Sequence, residues 1–166
     1  MNKKVLASAA VVVVLAAGLF AWNSAKKSES KALPMEINKE AREIVMPAEV
    51  NGKYFNEPTR HGVVFLTGSN GEKSVLRGLS DEKEFHAALI SLGAVPGDNV
   101  KLADMKAGPN DGKSVEGTKL NVFVKWDGSN GEIPFNDIIK STNPRPMDVR
   151  FGGNLEAAKK ANTGCI

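Results

Sequence analysis

Two histidines are the side chains of this sequence best suited to acid–base or metal chemistry. His61 precedes an apolar strand pattern, and His86 lies beside the apolar stripe of a predicted helix. An imidazole titrates near neutral pH and binds transition metals, so the two residues are a candidate ligand or structural motif. Two imidazoles hold a metal only with carboxylate help, which Glu57 or Asp81 could supply. The interpretation that we favour is structural, with each histidine half-buried and hydrogen-bonded to the backbone.

Cys165 is the other residue with distinctive chemistry. It is the only cysteine, so neither an intramolecular disulfide nor a four-thiolate metal site can form within one chain. Its thiol could pair between molecules, ligate a metal or stay reduced. A chain that stops directly after Gly164-Cys165-Ile166 also resembles one cut short, although a natural end gives the same pattern.

Motifs for phosphate binding, calcium binding and nucleophilic catalysis fail their geometric tests. Residues 108–114, GPNDGKS, have three residues between the glycines where a phosphate-binding loop has four, and no helix is predicted after them. Ala107 and Pro109 stand at ligand positions of a calcium loop, which excludes that motif. No serine or cysteine is predicted on a sharp strand-to-helix turn. We therefore favour a non-catalytic protein over an enzyme.

An apolar run at the N-terminus indicates export. Residues 5–22 are apolar except for Ser8 and Gly18, and Lys3 and Lys4 precede them. A helix over this run would be about 27 Å long at about 1.5 Å per residue, close to the thickness of the hydrocarbon core. The pattern is typical of an apolar export or anchor helix, either cleaved or retained as a membrane tether. We expect the protein on the periplasmic or extracellular side of the cytoplasmic membrane.

The net charge of +3 does not indicate a nucleic-acid partner. Setting aside Lys3 and Lys4 of the export segment leaves 20 basic residues against 19 acidic ones. No cluster of lysine and arginine interleaves with aromatic residues, so we expect no nucleic-acid partner. The predicted organisation is a signal or anchor at 1–25, a charged tether at 26–41 and a single domain at 42–166.

Short apolar runs separated by glycine and asparagine predict a sheet. The run 43–50 predicts a strand whose Pro47 suggests an edge position or a bulge. The pentapeptide Gly-Ser-Asn-Gly-Glu occurs twice, at 68–72 and 128–132, each time after an apolar strand pattern. Because Asn-Gly adopts the positive φ values of tight hairpins, both copies predict hairpins. The run 120–126 alternates between apolar and polar residues, which is typical of a strand with one buried face.

One helix stands out between the two predicted hairpins, over residues 81–92. Ser80 is placed to cap it, and Gly93 is placed to end it. Its apolar residues recur at the spacing of a single core-facing stripe: Phe85, Ala88, Leu89 and Leu92. The predicted fold class is therefore α+β, a mostly antiparallel sheet with hairpins and one principal helix packed on it, preceded by the apolar export helix.

The sequence resembles the YdjY-like domain of exported bacterial proteins, over about residues 44–166. The resemblance rests on RHGVVF at 60–65, on FHAAL at 85–89 followed by LGAVPG at 92–97, and on FGGN at 151–154. The helix and turn are the most specific part. The family is functionally uncharacterised, so the resemblance implies fold and location rather than an activity.

The same resemblance implies a redox alternative. Some relatives continue past the equivalent of Cys165 with further cysteines that look like iron–sulfur ligands. Cys165 would then be one ligand of a 4Fe-4S cluster completed in a longer form or by a redox partner protein. The first hypothesis is nevertheless a membrane-tethered, non-catalytic binding or accessory module, with membrane contact through residues 5–22. An iron–sulfur accessory protein is the alternative, and a metalloenzyme using His61 and His86 is the third hypothesis.

Overall fold

A seven-stranded sheet forms the frame of the computed structural model, which describes residues 11–17, 31–68, 70–101, 104, 113–142 and 147–156. The strands are β1 (Val11–Ala17), β2 (Glu36–Asn38), β3 (Glu43–Val50), β4 (His61–Phe65), β5 (Ser74–Gly78), β6 (Leu120–Trp126) and β7 (Ile133–Pro134). The principal helix is α1 (Glu82–Ser91), and α2 (Phe135–Ile138) is a single turn. Short 3-10 helices cover Gly52–Phe55 and Gly71–Lys73.

The strands follow the order β4-β5-β3-β1-β6-β7, with β2 paired to part of β3. β1 is parallel to both of its neighbours, β3 and β6. Of the other four pairings, three are antiparallel and only β4 with β5 is parallel. The α+β class is therefore confirmed. The expected antiparallel character holds for three of the four pairings that do not involve β1, and the parallel pairings of β1 and of β4 with β5 make the sheet mixed.

Residues 11–17 form a strand, where the sequence predicted an apolar helix over 5–22. Four consecutive valines begin this strand, and β-branched side chains suit a pleated surface better than a helix. Val13 and Leu15 are 3% and 2% exposed, so the strand contributes to the core. Residues 5–10 and 18–22 of the run lie outside the described residues. Within the described part of the chain, no helix is long and apolar enough to cross a bilayer.

β2 lies inside the segment 26–41 that was predicted to be a tether. It pairs with β3 in an antiparallel register from Glu36 opposite Val45 to Asn38 opposite Glu43. All three of its residues are exposed, so backbone pairing rather than side-chain burial places it. The sheet therefore begins before residue 42.

β3 has the predicted bounds but an interior position, so the edge prediction for Pro47 is wrong. The Pro47 carbonyl accepts a hydrogen bond from the Leu79 N–H at 2.9 Å. Its missing N–H would face the same side, where β3 changes partner: β2 pairs up to Val45, and β5 pairs from Ala48. The Leu79 carbonyl accepts from the Leu33 N–H at 2.8 Å instead, so the missing N–H of proline leaves this acceptor paired.

The first predicted hairpin is wrong, because β4 and β5 run parallel. His61 pairs with Ser74, and Phe65 pairs with Gly78. Asn70 has a φ of −109° rather than the positive value of a two-residue hairpin. Tight turns instead carry the chain back alongside the start of β4, where the buried Ser74 hydroxyl donates to the Gly71 carbonyl at 2.9 Å.

The second predicted hairpin is confirmed, with β6 antiparallel to β7. Gly128 and Gly131 take the positive φ values of the turn, at 91° and 88°. The Ser129 hydroxyl accepts from the Trp126 N–H at 3.3 Å and donates to the Gly131 carbonyl at 2.9 Å. One hydroxyl therefore fixes both sides of the loop.

Helix α1 begins one residue later than predicted, and its cap is Asp81 rather than Ser80. The Asp81 carboxylate accepts from the N–H groups of Lys83 and Glu84 at 2.8 and 3.0 Å. The Ser80 side chain is fully buried, and its hydroxyl has no hydrogen-bond partner within the described residues. An aspartate cap also adds negative charge at the positive end of the helix dipole.

The C-terminus of α1 closes with a Schellman arrangement at Gly93, as the sequence predicted. The Gly93 N–H donates to the Ile90 carbonyl at 2.9 Å, and the Ala94 N–H donates to the Leu89 carbonyl at 3.0 Å. Gly93 has a φ of 80°. The predicted apolar stripe is buried, and the Phe85 and Phe65 rings lie 5.2 Å apart. Its four residues all belong to the core: Phe85, Ala88, Leu89 and Leu92.

The cap assignment predicts opposite effects for two adjacent substitutions. Asp81→Ala removes two hydrogen bonds to the first turn and should lower the free energy of unfolding by about 1 kcal/mol. Ser80→Ala removes a buried hydroxyl without a partner and should leave stability unchanged or raise it. Urea unfolding of both variants measures the difference. A larger loss for Ser80→Ala than for Asp81→Ala would contradict the assignment.

Candidate functional site

Three segments that are distant in sequence meet beyond the C-terminus of α1. We call them together the loop layer, and they comprise residues 94–99, 114–119 and 148–154. The first segment follows α1 directly and the second leads into β6. Two of the motifs behind the family resemblance, LGAVPG and FGGN, therefore reach the same layer.

Backbone hydrogen bonds join the three segments around Thr118. The Val95 N–H donates to the Thr118 hydroxyl at 2.8 Å, and the Thr118 N–H donates to the Val95 carbonyl at 2.9 Å. On its other side, the Phe151 N–H donates to the Thr118 carbonyl at 2.8 Å. Thr118 therefore links all three segments through its main chain and side chain.

A second set of bonds pairs the Pro-Gly turn with the Phe-Gly-Gly stretch. The Gly97 N–H donates to the Phe151 carbonyl at 3.0 Å, and the Asp98 N–H donates to the Gly152 carbonyl at 2.8 Å. The Asp98 carboxylate accepts from the Asn154 N–H at 2.6 Å. Asp98 and Asn154 have φ values of 48° and 55°. Asp and Asn are the side chains that tolerate the left-handed region best, and neighbouring bonds hold them there.

The Asn99 amide fixes the middle segment. Its Nδ2 donates to the Ser114 carbonyl at 2.8 Å, and its Oδ1 accepts from the Glu116 N–H at 3.2 Å. The Asn99 side chain therefore acts as both donor and acceptor to the main chain of 114–116, as a neighbouring strand would. The loop layer is therefore held together by main-chain bonds and by the side chains of Thr118, Asp98 and Asn99.

The loop layer contains a small group of charged side chains. The Arg150 Nε donates to the Asp148 Oδ2 at 2.8 Å, and the Lys119 Nζ lies 3.7 Å from Asp148 Oδ1. The hydrogen bond from Arg150, together with the charges of Arg150 and Lys119, lowers the pKa of Asp148 against a weaker opposing effect of desolvation. Arg150 also donates to the Gly117 carbonyl at 3.3 Å. The bond from Arg150 to Gly117 therefore joins the charged group to the backbone of the second segment.

His86 lies against the loop layer. Its ring is half-buried and meets the ring of Phe151 edge-on, with centroids 5.0 Å apart and an interplanar angle of 67°. Phe151 is 1% exposed, so this contact attaches α1 to the floor of the layer. The half-burial of His86 matches the favoured interpretation, whereas the hydrogen bond to the backbone that this interpretation included stays a prediction.

The structure places His61 on a different element, at the start of β4. It pairs with Ser74, and its main-chain N–H donates to the Thr59 hydroxyl at 3.2 Å. Asp81 is occupied with capping α1, and Glu57 pairs with Lys53 at 3.5 Å. Among the residues that the structure describes, no three His, Cys, Asp or Glu side chains are grouped to hold a metal ion. Cys165 lies outside the described residues.

Two large apolar side chains remain in solvent near the end of α1. Ile90 is 44% exposed on the last turn of the helix, and Val95 is 65% exposed within the loop layer. Neither residue belonged to the sequence prediction of a site. The sequence did contain a signal for the loop layer itself. The segments Pro-Gly-Asp-Asn at 96–99 and Phe-Gly-Gly-Asn at 151–154 are both rich in residues that accept positive φ, which is typical of tight, irregular loops.

Comparison with known proteins agrees with the predicted resemblance. The model of the YdjY domain matches residues 35–166. The chain is 35% identical over 148 residues to "Uncharacterized protein YdjY" of Escherichia coli strain K12. That alignment covers 87% of this chain and 64% of the relative, so the chain spans less than two thirds of the relative's length. The family match begins beside β2, inside the predicted tether. No solved structure matches the chain.

The close approach of backbones at Gly117 makes it a sensitive position of the loop layer. A Cβ there would collide with the Phe151 carbonyl oxygen and lie 2.8 Å from the Gly97 nitrogen. Gly117→Ala should therefore separate the segments and lower the free energy of unfolding by about 3 kcal/mol. Urea unfolding measures this loss.

Gly52→Ala is the matched control, because a Cβ at that position meets only the Phe55 ring, at 3.7 Å. We expect this variant to stay within about 0.5 kcal/mol of the parent protein. Equal stability of the two alanine variants would show that the three segments do not approach as described.

Proposed function

The chain belongs to the YdjY domain family, and from that premise we propose that it is an exported, membrane-tethered extracytoplasmic domain that acts as a non-catalytic binding module. The E. coli relative is itself uncharacterised, so it supplies no activity to transfer. The proposal rests on two features of this chain, its N-terminal run and the surface of the loop layer.

The N-terminal run supports the proposed location. Lys3 and Lys4 precede eighteen residues, 5–22, that contain no charged side chain. A positive flank before an apolar run of this length directs a segment into the export machinery of the cytoplasmic membrane. The residues that follow the run would then lie on the outer side of that membrane.

The exposed pair Ile90 and Val95 is the observation that carries the binding proposal. Both side chains project into solvent beside a backbone fixed by main-chain hydrogen bonds. Apolar side chains on a rigid surface bind a partner with little loss of conformational entropy. We therefore assign this surface to a protein partner with a complementary apolar patch.

Charged side chains lie in the same layer as Val95 and could supply the polar part of a protein interface. Lys119 adjoins Thr118, which is bonded directly to Val95, and Asp148 and Arg150 lie next to it. An apolar centre with a charged rim is the usual anatomy of such contacts. The rim would set orientation and association rate, and the apolar pair would supply most of the affinity.

Capture of the partner from membranes tests the proposed interface. The tagged full-length chain, cross-linked in its native membrane, should recover one partner in stoichiometric amount. The double variant Ile90→Glu, Val95→Glu places two charges in the apolar centre and should reduce recovery by about tenfold or more. Mass spectrometry with isotope-labelled standards quantifies the partner.

Phe55→Glu is the matched control for this experiment. Phe55 is 76% exposed, but it lies in the 3-10 helix Gly52–Phe55 and outside the loop layer. Recovery with this variant should equal that of the parent chain. Equal recovery with all three proteins, or no stoichiometric partner with any of them, would overturn the assignment.

The iron–sulfur accessory protein is the second proposal. It rests on Cys165, the sole cysteine of the chain, and on the resemblance to relatives that continue past this position with further cysteines that look like iron–sulfur ligands. A 4Fe-4S cluster would take Cys165 as one ligand and the others from a redox partner or from a longer form. The tagged chain purified anaerobically with its partner should then show thiolate-to-iron absorbance that Cys165→Ser abolishes. A colourless parent complex, or colour unchanged by Cys165→Ser, would refute this proposal.

A further inference from the structure

β1 fills an interior position of the sheet, between β3 and β6. It pairs in parallel with β3 from Val12 opposite Glu43 to Ala17 opposite Ala48. On its other side it pairs in parallel with the whole of β6. Both neighbours therefore direct backbone donors and acceptors toward the same strand.

The side chains of β1 also complete two rows of the core. Val13 lies in register with Ile44 on one side and Val122 on the other. Leu15 forms the next row in the same way, between Met46 and Val124. Ile44, Met46, Leu15 and Val124 are each 2% exposed or less. The strand therefore supplies apolar side chains as well as backbone bonds.

Without β1 the sheet would have a gap one strand wide. Neighbouring strands lie about 4.8 Å apart, so β3 and β6 are separated by about twice that distance and cannot pair directly. Each would present an unpaired parallel edge, and the core would lack Val13 and Leu15. We call this gap, bounded by β3 and β6, the strand slot.

The segment that fills the slot is also the centre of the apolar run 5–22. These residues cannot form a membrane-spanning helix and a sheet strand at the same time. Insertion of the run into a bilayer therefore empties the strand slot. This step rests on the membrane tether proposed above.

We propose that the strand slot is an acceptor site that binds an extended apolar strand of a partner protein when Val11–Ala17 is held in the membrane. The seated segment defines the partner's chemistry: about seven uncharged residues, running parallel to β3 and β6, with apolar side chains at the positions of Val13 and Leu15. Added strands of this kind gain affinity from main-chain bonds and specificity from alternate side chains.

A labelled peptide and lipid vesicles test the acceptor site with the full-length chain. The probe is a fluorescent peptide with the sequence of residues 11–17 and two lysines at each end. The chain is reconstituted in phosphatidylcholine–phosphatidylglycerol vesicles, and flotation measures its insertion. Peptide binding is measured by fluorescence anisotropy, with protein-free vesicles as the background.

The inserted chain should bind the peptide saturably, about tenfold or more tightly than the same chain without lipid, whose slot holds its own β1. A peptide carrying Asp at the positions of Val13 and Leu15 should lose that binding. A chain that floats but does not bind the peptide overturns the acceptor site and leaves the membrane tether standing. A chain that does not float overturns the tether and, because β1 then keeps the slot, the acceptor site as well.

Cross-linking locates the bound peptide independently of affinity. In a Cys165→Ser background, Val122→Cys places a thiol in the row of Val13, on β6. With copper–phenanthroline and dissolved oxygen as the oxidant, a peptide with cysteine at the Val13 position should form a disulfide with this variant in vesicles. Val63→Cys is the control, because Val63 lies on β4 and pairs with Leu76. Equal cross-linking at the two positions would show that the peptide does not enter the slot.

Discussion

Two parallel pairings, those of β1 with β3 and with β6, hold the two parts of the sheet together. On one side lie β2, β3, β4 and β5, followed by α1; on the other lie β6, β7 and α2. The main-chain bonds of the loop layer join the same two parts beyond the end of α1. In water the central strand therefore closes the core between the two parts, and the bonds of the layer join the parts independently of that strand.

The bounds of β3 and β6 and the buried stripe of α1 could be predicted because alternation and helical periodicity are local properties of the sequence. The parallel pairing of β4 with β5 could not be predicted. Asn70 and Gly71 are compatible with a tight hairpin, but β5 also pairs with β3, which is distant in sequence, and no local pattern shows that pairing. The His86–Phe151 contact likewise joins residues that no local pattern relates. The cap was misplaced by a single residue, because Ser80 and Asp81 are both good capping side chains.

The N-terminal run shows why an apolar sequence does not specify one structure. In a bilayer only a helix satisfies the backbone groups of the run internally, whereas in water β3 and β6 pair with residues 11–17 from both sides. Its valines favour the strand, and its length and flanking lysines favour the membrane. The proposed tether and the proposed acceptor site thus follow from the same equilibrium, in which residues 11–17 either lie in the bilayer as part of a helix or lie in the sheet as β1.

Hydrogen exchange of the full-length chain in lipid-free buffer tests the central place of β1 most directly. Amides of Val13 and Leu15 should be protected to the same extent as those of Ile44 and Val124, because without lipid β1 stays paired with β3 on one side and with β6 on the other. Rapid exchange of Val13 and Leu15 with continued protection of Ile44 and Val124 would contradict the account, since β1 would then not occupy the slot between β3 and β6 in the absence of lipid.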